Sequence, residues 1–201
     1  HDVRSAAFAP GDGGVVLTAS SDQSARLWSL AGDELAVLRG HAGSVMHAGF
    51  SPDGSRIVTA SADSTVRVWD RAGRTSAVLG EGDYPCVSAW FTPDGTRVVT
   101  TSIDTTARVF DLTGRELAVL RGHESPLIGV TFSTDGTRVL TASVDRTARL
   151  WDLAGTELLV LRTPEHGFAS ALLSRDGTRI LTASDDATAR VFDLTGKEVV
   201  A

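Results

Sequence analysis

Residues 45–79 read VMHAGFSPDGSRIVTASADSTVRVWDRAGRTSAVL, and this stretch decides the fold. Val45 to Phe50 is a short apolar run. Ser51-Pro52-Asp53-Gly54 behind it is turn chemistry, since proline fixes one dihedral and glycine tolerates positive φ. Arg56 to Ser61 is β-branched and mostly apolar, Ala62-Asp63-Ser64 is a polar turn, and Thr65 to Trp69 alternates apolar with polar. A further turn at Arg71-Ala72-Gly73-Arg74 leads into a last short strand, Ser76 to Leu79. The unit reads as four antiparallel strands without a helix.

The chain repeats this unit. Trp28, Trp69, Phe110, Trp151 and Phe192 stand 41 residues apart, as do Asp22, Asp63, Asp104, Asp145 and Asp186, six residues before them. A strict period of this length marks a repeat architecture. Phe50, Phe91, Phe132 and Leu173 keep the same spacing; Phe8 comes one residue early, because Pro10-Gly11-Asp12-Gly13-Gly14 carries an extra residue where a turn absorbs it. Phrases such as TASSDQSARLW, TASVDRTARLW and TASDDATARVF point to recent duplication of the unit. The repeats run approximately over 1–40, 41–81, 82–122, 123–163 and 164–201, within a single repeat region covering 1–201.

A lone four-stranded sheet exposes apolar residues on both faces, so neighbouring sheets must stack face to face, and radial stacking of such sheets is a propeller. Gly40-His41 with Trp69-Asp70, and Gly122-His123 with Trp151-Asp152, carry this further. The chain resembles the WD-repeat β-propeller family, whose units hold Gly-His near the start and Trp-Asp near the end. Trp28-Ser29, Phe110-Asp111 and Phe192-Asp193 are weaker forms of the second mark. The expected fold is therefore all-β, a β-propeller of WD-repeat type with five four-stranded antiparallel blades. Five blades of this pattern are expected to form an open or partial ring with unpaired apolar faces, which favours further blades in a parent chain or self-association. The chain opens mid-unit at His1 and reads as a fragment of a larger propeller.

Composition narrows the function. With 42% hydrophobic and 22% charged residues the chain has the balance of a globular domain. A net charge of -6 without a basic block argues against nucleic acid and anionic membrane as partners. The only cysteine, Cys86, cannot form an internal disulfide or a thiolate metal cluster, and agrees with a reducing, cytoplasmic setting. There is no apolar run of membrane-spanning length and no signal-peptide pattern.

The resemblance also implies a hydrogen-bond relay within a blade, linking the Gly-His histidine, a strand Ser or Thr, the turn Asp and the Trp indole. Carried over by position, the second repeat supplies His41, Thr59, Asp63 and Trp69, and the fourth supplies His123, Thr141, Asp145 and Trp151, with Ser61 and Ser143 as alternative hydroxyl members. In the third repeat the histidine position is Gly82 and the aromatic is Phe110; in the fifth they are Pro164 and Phe192. The paired loss is physical, because an indole N–H in a blade interface needs an acceptor and a phenyl ring does not. The first repeat keeps Trp28, so a histidine is expected upstream of His1 in the parent. Histidine, hydroxyl and aspartate are also the parts of a hydrolytic triad, but a set that recurs by repeat position and ends on an indole donor is structural. No catalytic residue, metal ligand or cofactor is assigned.

Other side chains recur by position as well. Arg26, Arg67, Arg108, Arg149 and Arg190 sit two before each aromatic; they form either an anion-binding ring or, on the bland reading, stems packed along strands. His47 and His166 match no recurring position and read as surface or packing side chains. By resemblance, partners dock on the face bearing the Asp turns. Met46, Tyr84, Pro85, Val87, Ile103, Pro126, Ile128 and Val144 are then the candidate partner-binding rim, unless several fold under the loops as core. The expected function is a non-catalytic scaffold for a protein or peptide partner. The alternative is the sensor or regulatory repeat arm of a multidomain signalling protein, such as an NTPase switch or kinase, which flanking phosphate-loop or kinase signatures would reveal. A propeller enzyme would need a metal or carboxylate cluster that breaks the repeat symmetry, and the sequence has none.

Overall fold

The structure is a computed structural model describing residues 1–11, 13–163 and 167–200. The described residues form twenty strands and no helix, hence no helix long and apolar enough to cross a membrane. In chain order, the first sheet is β1 (Val3–Phe8), β2 (Val15–Ser20), β3 (Ser24–Ser29) and β4 (Glu34–Arg39), and the second is β5 (Val45–Phe50), β6 (Arg56–Ser61), β7 (Thr65–Asp70) and β8 (Thr75–Glu81). The third is β9 (Cys86–Phe91), β10 (Arg97–Ser102), β11 (Ala107–Asp111) and β12 (Glu116–Leu120). The fourth is β13 (Leu127–Phe132), β14 (Arg138–Ser143), β15 (Thr147–Asp152) and β16 (Glu157–Arg162); the fifth is β17 (Phe168–Leu173), β18 (Arg179–Ser184), β19 (Ala189–Asp193) and β20 (Glu198–Val200). Each is a four-stranded meander with its strands in sequence order. Pro164, the residue at the fifth histidine position, lies outside the described residues, as do His166 and Ala201.

The chain divides into two compact units, His1–Ile103 with Arg108–Leu117, and Asp104–Ala107 with Ala118–Ala201. In the first unit, Leu17, Ala19, Ala25, Leu27 and Leu38 of sheet one meet Val45, Ala48, Ile57 and Trp69 of sheet two in one buried cluster. Val58, Ala60, Val66, Val68 and Leu79 leave the opposite face of sheet two and bury against Ala89, Phe91, Val98 and Phe110 of sheet three. Adjacent residues Ile57 and Val58 thus serve two different cores, as the two-residue period of a strand dictates. In the second unit, Leu140, Ala142, Ala148, Leu150 and Leu161 pack on Phe168, Ala171 and Ile180, with Phe192 partly buried beside them. Each large apolar side chain so buried contributes about 1.5–3 kcal/mol, which is why no sheet needs a helix to cover it.

The extra residue of the first repeat falls between β1 and β2. Phe8 pairs with Val16 as Phe50 pairs with Ile57, so the ladders keep a common register. A second regularity was not visible in the sequence: Gln23, Ser64, Thr105, Arg146 and Ala187, one residue after each turn aspartate, all have φ between 63° and 72°. This left-handed conformation is costly for a side chain with a Cβ, and most so for a β-branched one. Thr105→Gly should raise stability by about 0.5–1 kcal/mol, strain relief outweighing the added chain entropy of glycine. A chemical-denaturation midpoint equal to or below that of the parent would contradict this.

Candidate functional site

The relay side chains come together in sheets two and four. His41 Nε2 lies 2.7 Å from Thr59 Oγ1 and its Nδ1 lies 2.9 Å from Asp63 Oδ2. Trp69 Nε1 donates to the same Thr59 hydroxyl at 2.8 Å. Sheet four repeats the geometry, with His123 at 2.8 Å from Thr141 and 2.9 Å from Asp145, and Trp151 donating to Thr141 at 2.8 Å. The directions follow from the inventory of donors. The indole can only donate, so the threonine oxygen accepts from it and the threonine O–H donates to Nε2; Nδ1–H then donates to the carboxylate. The imidazole is neutral in this arrangement.

Burial favours the same state. It lowers the pKa of His41 and of His123 below the ordinary value, against the raising influence of Asp63 and Asp145. For Asp63 burial acts upward, but the Thr65 hydroxyl and N–H, the Ala42 N–H and His41 outweigh it and hold the carboxyl at about 2. Asp145 is held at about 2 in the same way. Ser61 and Ser143 are not in the chain of bonds: their hydroxyls donate to the backbone carbonyls of Gly43 and Ser125, tying the opening loop of each sheet to β6 and β14. Gly40 and Gly122 precede the histidines at φ of 150° and 158°, and a Cβ at either position would run into the guanidinium of Arg67 or Arg149.

The second half of the dipeptide has its own duty. Asp70 Oδ1 accepts the N–H groups of Ala72 and Arg74, closing the turn between β7 and β8, and Asp152 does the same for Ala154 and Thr156. Both marks of the repeat are therefore explained by bonds. The sequence profile of the family described as WD domain, G-beta repeat (WD40) matches residues 1–29, 32–70, 77–111, 114–152 and 156–193. The chain belongs to this family. A search of curated proteins found no match to it. WD40 repeats generally mediate protein–protein interaction and are generally non-catalytic modules.

In two blades of this WD40 chain an arginine holds the turn aspartate. Arg26 Nη2 bonds Asp22 at 2.6 Å in blade one and Arg190 Nη2 bonds Asp186 at 2.8 Å in blade five. In blade four His123 occupies the aspartate, and Arg149 turns to Glu157. In blade two the glutamate position is Thr75, and Arg67 Nε is buried without a partner among the described residues while its head lies over the Trp69 ring. The recurring arginines are thus committed inward, and the spacing that shows it is Asp to Arg at four residues. Sequence reasoning also passed over Thr65 and Thr147, whose hydroxyls bond both the aspartate and the histidine Nδ1, although a hydroxyl two residues after the Asp recurs in every repeat. His47 packs on the Trp90 ring at 4.1 Å between centroids, a packing residue with a half-buried ring.

The rim residues are placed by a bulge. In every blade of this WD40 chain the first strand carries two residues against one near its start. The extra residues are Arg4, Met46, Val87, Ile128 and Ala169. A bulge interrupts the strict alternation and re-aims a side chain, here at the end of the blade that bears the Asp turns. In the first unit Tyr84 and Ile103 are exposed, while Met46, Pro85 and Val87 are half-buried. In the second unit Pro126, Ile128 and Val144 are exposed. Ile128 and Val144 border a cleft of about 500 Å³ with Arg146, Phe168, Ala169 and Asp185. Among the described residues no group of three or more His, Cys, Asp or Glu side chains is placed to hold a metal ion.

Proposed function

We propose that this chain is a non-catalytic scaffold that captures a protein or peptide at the blade ends. The observation that carries the reading is the exposure of two large apolar side chains, Ile128 at 44% and Val144 at 58%, beside the cleft between blades four and five. Exposed apolar groups around a concavity are the usual mark of a protein interface. Arg146 and Asp185 at the same cleft supply charges of both signs for a polar rim. The relay supports a scaffold rather than a catalyst, since its histidines are spent on buried bonds and repeat with the blade. Ile128→Asp combined with Val144→Asp should remove partner capture in a pull-down, with the circular dichroism spectrum unchanged, because both side chains leave the core untouched. Capture at parental levels by the folded double variant would sink the assignment.

A further inference from the structure

In blades two and four an imidazole and an indole close around the strand threonine. In blade three this space is open. Gly82 stands at the histidine position and Phe110 at the indole position, and a cavity of about 580 Å³ lies between them and Thr100. Val66 and Leu79 add apolar wall, and Arg108 with Glu116, 3.5 Å apart, adds a charged edge. That volume falls in the range of about 300–1,000 Å³ typical of small-molecule sites.

Two observations show that the space suits a ring with a donor. Thr59 and Thr141 each bond both an indole and an imidazole, whereas the equivalent Thr100, only 4% exposed, lines the cavity with a hydroxyl that has no partner among the described residues. The Thr100 oxygen is not among the sealed orphan atoms of the core; it opens onto the cavity, where it can accept from a donor that enters. Second, a Cβ built on Gly82 would meet nothing nearer than the Tyr84 backbone nitrogen at 4.0 Å, and Gly82 is not among the positive-φ glycines. Neither sterics nor backbone demands glycine there.

We propose that this cavity binds a small planar heteroaromatic ring with an N–H donor, seated against Phe110 and donating to the Thr100 hydroxyl, in place of the rings that blades two and four carry covalently. Tyr84 borders both this cavity and the rim, but the cavity is a different one from the cleft at Ile128 and Val144 and does not depend on it. The ring could be a free molecule or the tryptophan side chain of a protein, so both are tested. The probes are indole, N-acetyltryptophanamide, and indene, which has the shape of indole without the N–H. Cys86 lines the same cavity and is the only cysteine, so its alkylation by iodoacetamide reports occupancy.

Indole should slow alkylation with a midpoint of about 0.1–1 mM, as expected for a fragment of this size. Indene, and indole on Thr100→Val, should each bind about tenfold more weakly, the loss of one buried hydrogen bond. Gly82→His with Phe110→Trp fills the space from within and should abolish the indole effect; if that variant does not fold, the Thr100→Val and indene arms still decide. An amide that matches indole assigns the ring to a protein side chain, and indole alone assigns a free molecule. No protection by either up to about 10 mM, or equal affinity for indole and indene, overturns the proposal.

Discussion

Replacing His41 and His123 together with alanine should lower the unfolding free energy by about 2–6 kcal/mol, at about 1–3 kcal/mol for each buried hydrogen-bonded group removed. The two sites lie in different blades, so their effects should add. Each substitution strips Thr59 or Thr141 of the acceptor for its proton, and removes one donor from Asp63 or Asp145. Against a typical domain stability of about 5–15 kcal/mol this is a large loss. Denaturant titration measures it, and unchanged midpoints would mean that the relay carries no weight. A cycle makes the test sharper. Trp69→Phe should cost more in the parent than in His41→Ala, because the indole N–H relies on a threonine oxygen that the histidine orients. Equal costs would show that Gly-His and Trp are independent, and the matched losses at Gly82 and Phe110 would then have no basis in bonding.

Acid should destabilise the protein in two steps. His47, His41 and His123 all have pKa values lowered by burial, His47 to about 4. A group whose folded pKa lies below its unfolded value of about 6.5 takes up protons more readily when unfolded, so stability is complete above that pH and falls as pH drops toward the folded value. For His47 the loss between about pH 6.5 and 4 amounts to about 2–3 kcal/mol once solvent screening of a half-buried ring is allowed for. His47→Phe keeps the packing on Trp90 and should flatten this part of the profile; a slope unchanged in the variant would remove His47 as its source. Below it the carboxylates act with the opposite chemistry. Asp63 and Asp145, held at about 2, contribute stability that is present above about 3.9 and disappears as pH falls through 2.

Much of this was legible in the sequence because the period repeats each signal. The strands expected in residues 45–79 agree with β5 to β8 to within a residue or two, since β-branched runs are punctuated by Pro, Gly and Asp turns. The choice between Thr59 and Ser61 was not legible. Both lie two residues apart on one face of β6, and only the third dimension shows that Thr59 reaches the indole while Ser61 reaches the Gly43 carbonyl. The rim was half legible: Ile128 and Val144 are exposed, but Met46, Pro85 and Val87 are partly covered. The direction of a side chain at a strand end depends on the bulge, and a bulge has no fixed residue signature. The clasp of Arg26 on Asp22 was hidden for a different reason, since a packed stem and a buried ion pair look alike in one dimension.

The bulge at the head of each blade divides labour between two paired strands. The serine beside it on the second strand is the same at Ser20, Ser61, Ser102, Ser143 and Ser184, whereas the bulged residue is Arg4, Met46, Val87, Ile128 and Ala169, different every time. Because that residue is lifted out of the pairing ladder, its chemistry can change without disturbing a core contact or a backbone bond. Copies that are nearly interchangeable as architecture thus become distinguishable as surface. The repeat supplies the frame, and one unpaired position per blade spells what the frame displays.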